Sequence, residues 1–379
     1  MSHYDAIVLG TGGVGSAALY HLAQRGLSVL GLDRFTGAHD RGSSHGHTRV
    51  IRKAYFEHPD YVPLLIEAYR LWKALQQVTG QSLYVPAGLL NVGPAEGNIV
   101  QGIRASAAEH DLPLEQLTAE EVAKRWPGYT VPEGYTALFE EEAGFLMVER
   151  AVQAHLDQAR LAGATCLTDQ VVLDWSVSGS TVTVRTESDT FEADRLVITA
   201  GSWTMDLLGD LEFSLQVLRK PLHWYRVPPD CYQCSQGAPT FFYDTPAGYF
   251  YGFPAIDGRG LKVARHTGGQ LVADPLQVDR SLDTEEQVQV AAFLGKFLPE
   301  VTGEPTDHAA CLYTMSADEH FIVDRHPEHD QVVFAAGLSG HGFKFATVLG
   351  KILSDLVADG TTTLPVGFLG HDRPGLRAD

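Results

Sequence analysis

One glycine pattern near the start of the chain constrains its fold more than any other feature. Residues 4–9 (YDAIVL) are a short apolar run, and Gly10, Gly12 and Gly15 follow at G-x-G-x-x-G spacing, at the head of a helical pattern that reaches Arg25. Gly26 ends that helix and LSVLGLD (27–33) reads as a second strand, so the opening spells strand, helix, strand. Each glycine has its own duty: the first permits a tight turn, the second lets backbone approach a pyrophosphate, and the third lets helix pack on strand. The helix N-terminus offers unpaired N–H groups and the positive end of its dipole to phosphates. Asp33 closes the second strand 18 residues beyond Gly15, where a carboxylate can accept from ribose hydroxyls. Gly13, Val14 and Arg34 adjoin these residues and join the expected cofactor contacts. A glycine-rich turn is the plain alternative, but strand, helix, second strand and acid agree on a dinucleotide. The motif alone does not separate NAD from FAD.

The 379 residues exceed one comfortable core, so two domains are expected. Residues 36–48 are rich in Gly, Ser and His and read as a loop. A helix follows Pro63, with Leu64, Leu65, Ala68, Leu71, Trp72 and Leu75 on one face and Gly80 closing it. Thr118 and Glu121 have capping-box spacing for a helix over 118–126, and a third helix runs from Glu149 to Ala162. Residues 170–199 change to strand periodicity, and 220–270 are dense in aromatics and turns, which reads as a multi-stranded sheet. The end returns to the opening style with a strand (QVVFAAG), a glycine loop (SGHGFK) and an apolar-faced helix.

Two styles alternating along one chain predict interleaved domains: 1–85, 146–218 and 320–379 for the cofactor, 86–145 and 219–319 for the substrate. FAD is favoured over NAD because RLVITAG (195–201) and QVVFAAG (331–337) are further buried strands ending in glycine. The more regular βα alternation through the first 150 residues, expected of a nicotinamide enzyme, is missing.

The net charge of −19, from 28 basic and 47 acidic residues, repels phosphate backbones and argues against nucleic acid as a partner. No apolar run has the length of a membrane span, and MSHYDAIVLG has no signal-peptide pattern. LRAD, at the end, is no recognised address, and four cysteines do not make a disulfide scaffold. A cytoplasmic location is expected.

GSSHGHTRVIRKAY (42–55), YGFP (251–254), GLKVARHT (260–267), CLYTMSADEHFIVDRHP (311–327) and GLSGHGFKFATVLGKIL (337–353) resemble, in order along the whole chain, the monomeric sarcosine oxidase family. That family includes N-methyltryptophan oxidase and pipecolate oxidase. The resemblance implies an α/β fold, α+β overall: a glutathione-reductase-like FAD-binding Rossmann domain and an interleaved substrate domain on a mixed, largely antiparallel sheet. It implies oxidation of a small secondary amino acid by FAD, with O2 as acceptor and H2O2 as product, in a monomer. It also implies covalent FAD through Cys311, whose ordinary alternative is a small buried hydrophobe.

Arg52 and Lys344 match the residues that bind the substrate carboxylate, a role suited to the arginine fork. Lys262 matches the lysine that promotes reaction with O2, because a fixed positive charge stabilises superoxide; its alternative is a solvent-facing strand position. Arg49, His266 and Tyr251 match catalytic-cavity positions, and Phe242 and Tyr313 shape the same cavity. Gly42, Ser43, His45, Thr48, Val172, Ala200, Gly201, Trp203, Gly337, Gly340, His341, Gly342 and Phe343 complete the implied cofactor contacts, with Lys344 and Arg49 shared. The last helix is expected to begin near Gly340–Gly342, its amides facing the reduced flavin. The chain departs from the family pattern at Ser44, where a histidine is expected, and at His47, where an acid is. Cys231 and Cys234 form a C-x-x-C without a partner pair, and the histidines and acids of 318–329 lack ligand spacing, so no metal is expected. The alternatives are a D-amino-acid or glycine-type oxidase, a flavin amine dehydrogenase with another acceptor, and a protein holding FAD without turnover.

Overall fold

The computed structural model describes residues 3–211 and 213–376; residues 1, 2, 212 and 377–379 lie outside the described residues, including the outer ends of the expected cofactor segments and most of LRAD. The strand His3–Leu9 is central to an eight-stranded sheet. It runs parallel to Val29–Leu32 on one side and to Thr190–Ile198 on the other. Thr165–Leu167 and Val332–Ala336 extend the parallel set. These strands read as continuous Val, Ile and Leu runs because both faces are covered. Val172–Ser178 and Thr181–Thr186 continue the sheet antiparallel from Thr190–Ile198. This is the Rossmann-type layer expected from the opening motif.

The helix Gly13–Gln24 lies on this sheet and packs against Val148–Leu161 and Ala346–Ala358. The contact with the last helix is very close: a Cβ on Gly350 would stand 2.5 Å from the backbone nitrogen of Ala18 and 2.6 Å from Ala17.

The second sheet has nine strands. Gln216–Tyr225 pairs with Leu261–Arg265, Gln270–Leu271 and Asp307–Met315, and all three pairings are antiparallel. Gly248–Phe253, Thr240–Thr245, Leu89–Pro94, Tyr135–Glu140 and Glu115–Leu117 complete it, and only Thr240–Thr245 with Leu89–Pro94 is parallel. The mixed, largely antiparallel description therefore holds. One face is covered by the helix Thr284–Phe297, whose Phe293 ring stacks on Phe250 at 4.4 Å. The other face carries Leu222, Trp224, Tyr251 and Phe253, which share an apolar cluster with Phe145 and Met147. A three-stranded sheet of Thr48–Ile51, Gly144–Met147 and Tyr84–Val85 joins the two.

The capping box of Thr118 and Glu121 is formed in full at the helix Ala119–Arg125. The helix read after Pro63 begins earlier, at Tyr61, with Pro63 in its first turn and Gly80 closing it in the left-handed conformation. The helices Asn98–Glu109 and Thr284–Phe297 were not anticipated. Two of the expected segment boundaries fall inside strands, at 145/146 in Gly144–Met147 and at 218/219 in Gln216–Tyr225.

Gly350→Ala gains about 1 kcal/mol of helix propensity, but its methyl meets backbone atoms that cannot rotate away. The clash, of order 1–3 kcal/mol or more, wins. Urea unfolding is expected to show lower stability; an unchanged or raised midpoint contradicts this packing.

Candidate active site

A cleft between the two large sheets encloses about 1880 Å³ not filled by protein atoms, the solvent at its mouth included. At one end its wall is the glycine turn. Gly10 has φ +82°, and a Cβ there would stand 2.7 Å from the Thr199 carbonyl oxygen. A Cβ on Gly15 would stand 1.8 Å from the Gly10 oxygen, so this glycine sets how closely the helix approaches the strand. At Gly12 the nearest atom is Ser44 Oγ at 3.7 Å, which leaves bare backbone facing the cleft. The Gly13 N–H donates to Ser44 Oγ at 3.0 Å. Asp33 accepts from the Thr11 N–H (2.7 Å) and hydroxyl (3.0 Å) through one oxygen and from the Phe35 N–H (2.9 Å) through the other. Its orientation is thus fixed, and the oxygen that accepts from Phe35 alone retains acceptor capacity.

Val14, Arg34, Gly42, Ser43, Val172, Ala200, Gly201 and Trp203 also line the cleft. The Trp203 indole N–H is buried without a partner and the Arg34 guanidinium lies 5.8 Å from its ring. Gly337, Gly340, His341, Gly342, Phe343 and Lys344 line it from the loop after Val332–Ala336. The last α-helix does not begin at Gly340–Gly342 as expected. Ser339 and Gly340 are left-handed (φ +46° and +77°), a helical turn of the tighter 3₁₀ type spans Phe343–Phe345, and the α-helix starts at Ala346. Lys344 lies on that turn.

Five of the expected residues stand behind the wall: Gly15, His45, Thr48, Lys262 and Cys311. Lys262 is 2 % exposed, so the solvent-face alternative is excluded. Its Nζ donates to the carbonyls of Gly46 (2.6 Å) and Thr48 (2.9 Å) and lies over the Phe253 ring. Burial, then Arg49, pushes its ammonium well below the usual lysine range. Arg49 donates to Cys311 Sγ at 2.9 Å and to the Ser43 and Thr48 carbonyls. His45 Nε2 is buried without a partner, and burial holds the ring down at about 4.

The far end is cationic and aromatic. Arg52 is 4 % exposed and donates to both oxygens of Glu57, at 2.7 and 2.8 Å. Burial works against the Glu57 charge, but Arg52, His341 and Lys344 outweigh it and hold the carboxyl at about 2. Glu57 was missed in the sequence; the signal was an arginine in an apolar stretch, which needs a nearby counter-charge. Arg52 Nε remains unpartnered. Lys344 donates to the His341 carbonyl (2.7 Å), and burial, then Arg52, lowers its ammonium well below the usual range. Tyr251, Tyr313 and His266 form a chain: Tyr251 OH to Tyr313 OH at 3.4 Å, and His266 Nδ1 to Tyr313 OH at 3.2 Å. Burial, then Lys220, keeps His266 neutral down to about 3. The Phe242 ring lies 6.2 Å from that of His266.

The departures Ser44 and His47 also have definite places. Ser44 holds the Gly13 N–H, and His47, at φ +75°, meets Arg259 at 2.6 Å. Among the described residues no three His, Cys, Asp or Glu side chains gather as a metal site. Cys231 and Cys234 are free thiols, and no helix among the described residues is long and apolar enough to cross a membrane.

Glycine turn, oriented acid and a long cleft ending in buried cations define a dinucleotide-dependent oxidoreductase, and the residues present fit FAD. Residues 5–356 match the family model described as FAD dependent oxidoreductase, and the chain belongs to that family. It is 39 % identical to monomeric sarcosine oxidase of Bacillus sp. (strain B-0618), over 99 % of this chain and 97 % of that protein. It is 39 % identical to N-methyl-L-tryptophan oxidase of Yersinia pestis (strain Pestoides F), over 94 % and 95 %. The fold is shared with NikD, an amino acid oxidase essential for nikkomycin biosynthesis, at TM-score 0.86 and 24 % identity over 98 % of both chains. Glycine oxidase from Geobacillus kaustophilus shares it at TM-score 0.82 and 20 % identity over 98 % and 99 %. The protein is a flavin-dependent amine oxidase.

Burial is the first cause that holds His21, His45 and His341 at about 4 and His266 at about 3. In the unfolded chain these rings titrate near 6.5. Between those values the unfolded state binds more protons, so stability falls as pH drops, by about 1–2 kcal/mol per ring at pH 5. The melting temperature is expected to be level above pH 7 and to decline steadily from pH 6.5 to 4.5. A level profile over that lower range overturns the assignment of neutral buried rings.

Proposed function

We propose that this enzyme oxidises a small secondary amino acid, N-methyl or cyclic, with sarcosine the simplest candidate, and uses O2 as acceptor to give H2O2. The imine product hydrolyses to an amine and an aldehyde. The observation that carries this is the far end of the cleft, where Arg52 and Lys344 face the Tyr251–Tyr313–His266 chain. The names of the relatives, which act on sarcosine and N-methyl-L-tryptophan, support the same substrate class.

FAD, when bound, supplies a two-electron acceptor for the substrate hydride and a donor to O2. Gly10, Gly12, Gly13, Val14, Gly15, Asp33 and Arg34 would hold its dinucleotide part. Gly42, Ser43, His45, Thr48, Arg49, Val172, Ala200, Gly201, Trp203, Gly337, Gly340, His341, Gly342, Phe343 and Lys344 would surround the remainder. Cys311 would carry it covalently, with its Sγ oriented by the hydrogen bond it accepts from the Arg49 guanidinium. The division proposed is 1–85, 146–218 and 320–379 for FAD, and 86–145 and 219–319 for substrate, in a monomer working in the cytoplasm.

Arg52 and Lys344 would take the substrate carboxylate. The Arg52 Nε has no partner, so its fork keeps a donor beyond those given to Glu57. Phe242, Tyr251 and Tyr313 would enclose the substrate, leaving little water beside the amine. Oxidation requires that amine to be neutral. The same burial and like charge that lower Lys262 and Lys344 act on a substrate ammonium and favour loss of its proton. His266, already neutral, returns no proton to it. Lys262, fixed by two carbonyls, would provide the positive charge that stabilises superoxide in the O2 reaction.

Anaerobic addition of sarcosine is expected to bleach the visible flavin band, and air to restore it with release of peroxide. A band that no N-methyl or cyclic amino acid bleaches overturns this function, and bleaching without reoxidation by air removes O2 as the acceptor. After acid precipitation the yellow colour is expected to stay with the polypeptide, and Cys311→Ser to release it to the supernatant. Free flavin from the unaltered protein sinks the covalent link.

A further inference from the structure

Lys220 belongs to no part of the function just described. It is 1 % exposed, lies opposite Cys311 in the pairing of Gln216–Tyr225 with Asp307–Met315, and makes no ion pair among the described residues. Its Nζ donates instead to three successive carbonyls: His266 at 2.8 Å, Thr267 at 2.9 Å and Gly268 at 2.9 Å. An ammonium has three protons, so this arrangement satisfies it fully. The three carbonyls converge because the chain turns back through Gly268 (φ +68°) and Gly269 (φ +122°), and a Cβ on Gly269 would stand 3.0 Å from Lys220 Cδ. The same ammonium lies 5.2 Å from the centre of the Tyr313 ring. His266, the first residue of the gripped turn, also donates its N–H to the Tyr249 carbonyl at 2.7 Å and meets the Tyr313 hydroxyl at 3.2 Å.

From this geometry we infer that Lys220 is a positioning residue for the substrate cavity, fixing His266 and Tyr313 relative to one another through the 266–268 turn and the face of the tyrosine ring. It sits behind the wall and touches no substrate. A buried lysine costs several kcal/mol unless its protons are all met, and here the groups that meet them are the backbone of one cavity residue and its neighbours. Removing the ammonium leaves three converging carbonyls to repel one another and loosens His266 first. The partly buried Glu286 is the acid that acts on Lys220, and it faces Arg265 at 3.8 Å and makes no ion pair with the ammonium among the described residues.

The inference rests on the proposed amino-acid site, and a test on affinity separates the two. Methoxyacetate, which places an ether oxygen where sarcosine has its amine, is expected to bind without being oxidised; its dissociation constant on the holoenzyme is read by titration calorimetry. Lys220→Met and His266→Asn are each expected to weaken binding about tenfold, and the double variant no more than the weaker single, because both break one device. Multiplied losses of about a hundredfold, as independent sites give, overturn the inference, as does a Lys220→Met affinity equal to the original. If Lys220→Met does not hold FAD, Lys220→Gln, which keeps a donor, takes its place in the same cycle. An unaltered enzyme that binds methoxyacetate but is bleached by no N-methyl amino acid removes the proposed reaction while the cycle still decides the role of Lys220. An unaltered enzyme that binds no methoxyacetate overturns both.

Discussion

Lys262 extends from the strand Leu261–Arg265 of the second sheet and places its ammonium on the carbonyls of Gly46, in the loop after Val29–Leu32, and of Thr48, which opens the strand Thr48–Ile51. This contact ties the two halves of the molecule at the cleft. A buried ammonium without acceptors is prohibitively costly, so the loop must come to the lysine. The loop has no regular structure of its own between Leu32 and Thr48. It is held by this grip, by Glu149 accepting from the Gly46 and His47 N–H groups, and by Arg49 donating to the Ser43 carbonyl. With the loop in place, Ser44 meets the Gly13 N–H at the head of the first helix. Contacts from one lysine and its neighbours thus reach the turn where the dinucleotide motif begins.

Charge is managed here by backbone more than by acid. The protein carries a net charge of −19, yet its cleft has Arg49, Arg52 and Lys344 on its wall and Lys262 behind it, with Glu57 the acid paired to Arg52. Carbonyl oxygens satisfy lysine protons without cancelling the charge, as an opposed carboxylate would. The positive field therefore survives for an anionic ligand. Glu57 marks the exception, and it holds the guanidinium where two aromatic faces, Tyr55 at 4.8 Å and Phe56 at 4.5 Å, fix its plane.

The Rossmann-type layer was legible because glycine spacing and apolar runs are local signals, and Gly10, Gly15 and Asp33 stand where the motif places them. The aromatic stretch 220–270 also announced its sheet. Less visible were features set by distant partners. Asn98–Glu109 and Thr284–Phe297 have their apolar faces set by the sheet they cover. The late start of the last helix follows from Ser339, a residue whose sequence gives no warning of a left-handed conformation. Within the cleft, resemblance to a family supplied Arg52, Lys344, Lys262 and Cys311, whereas Glu57, Ser44 and Lys220 emerge only when buried donors are matched to acceptors. Spacing along the chain carries no record of that matching.

The central strand His3–Leu9 takes its neighbour from Thr190–Ile198, and that strand takes Val332–Ala336. A nascent chain leaving the ribosome thus carries its glycine turn through the first half of synthesis with the strand Thr190–Ile198 that flanks it still unmade. The wall formed by Gly337–Lys344 emerges almost last. Cofactor capture is consequently an event of the finished chain, and such long-range pairings fold slowly. Yield of active protein in an expressing cell then depends on how long the incomplete sheet is protected and on how much free FAD is present when the final helix docks.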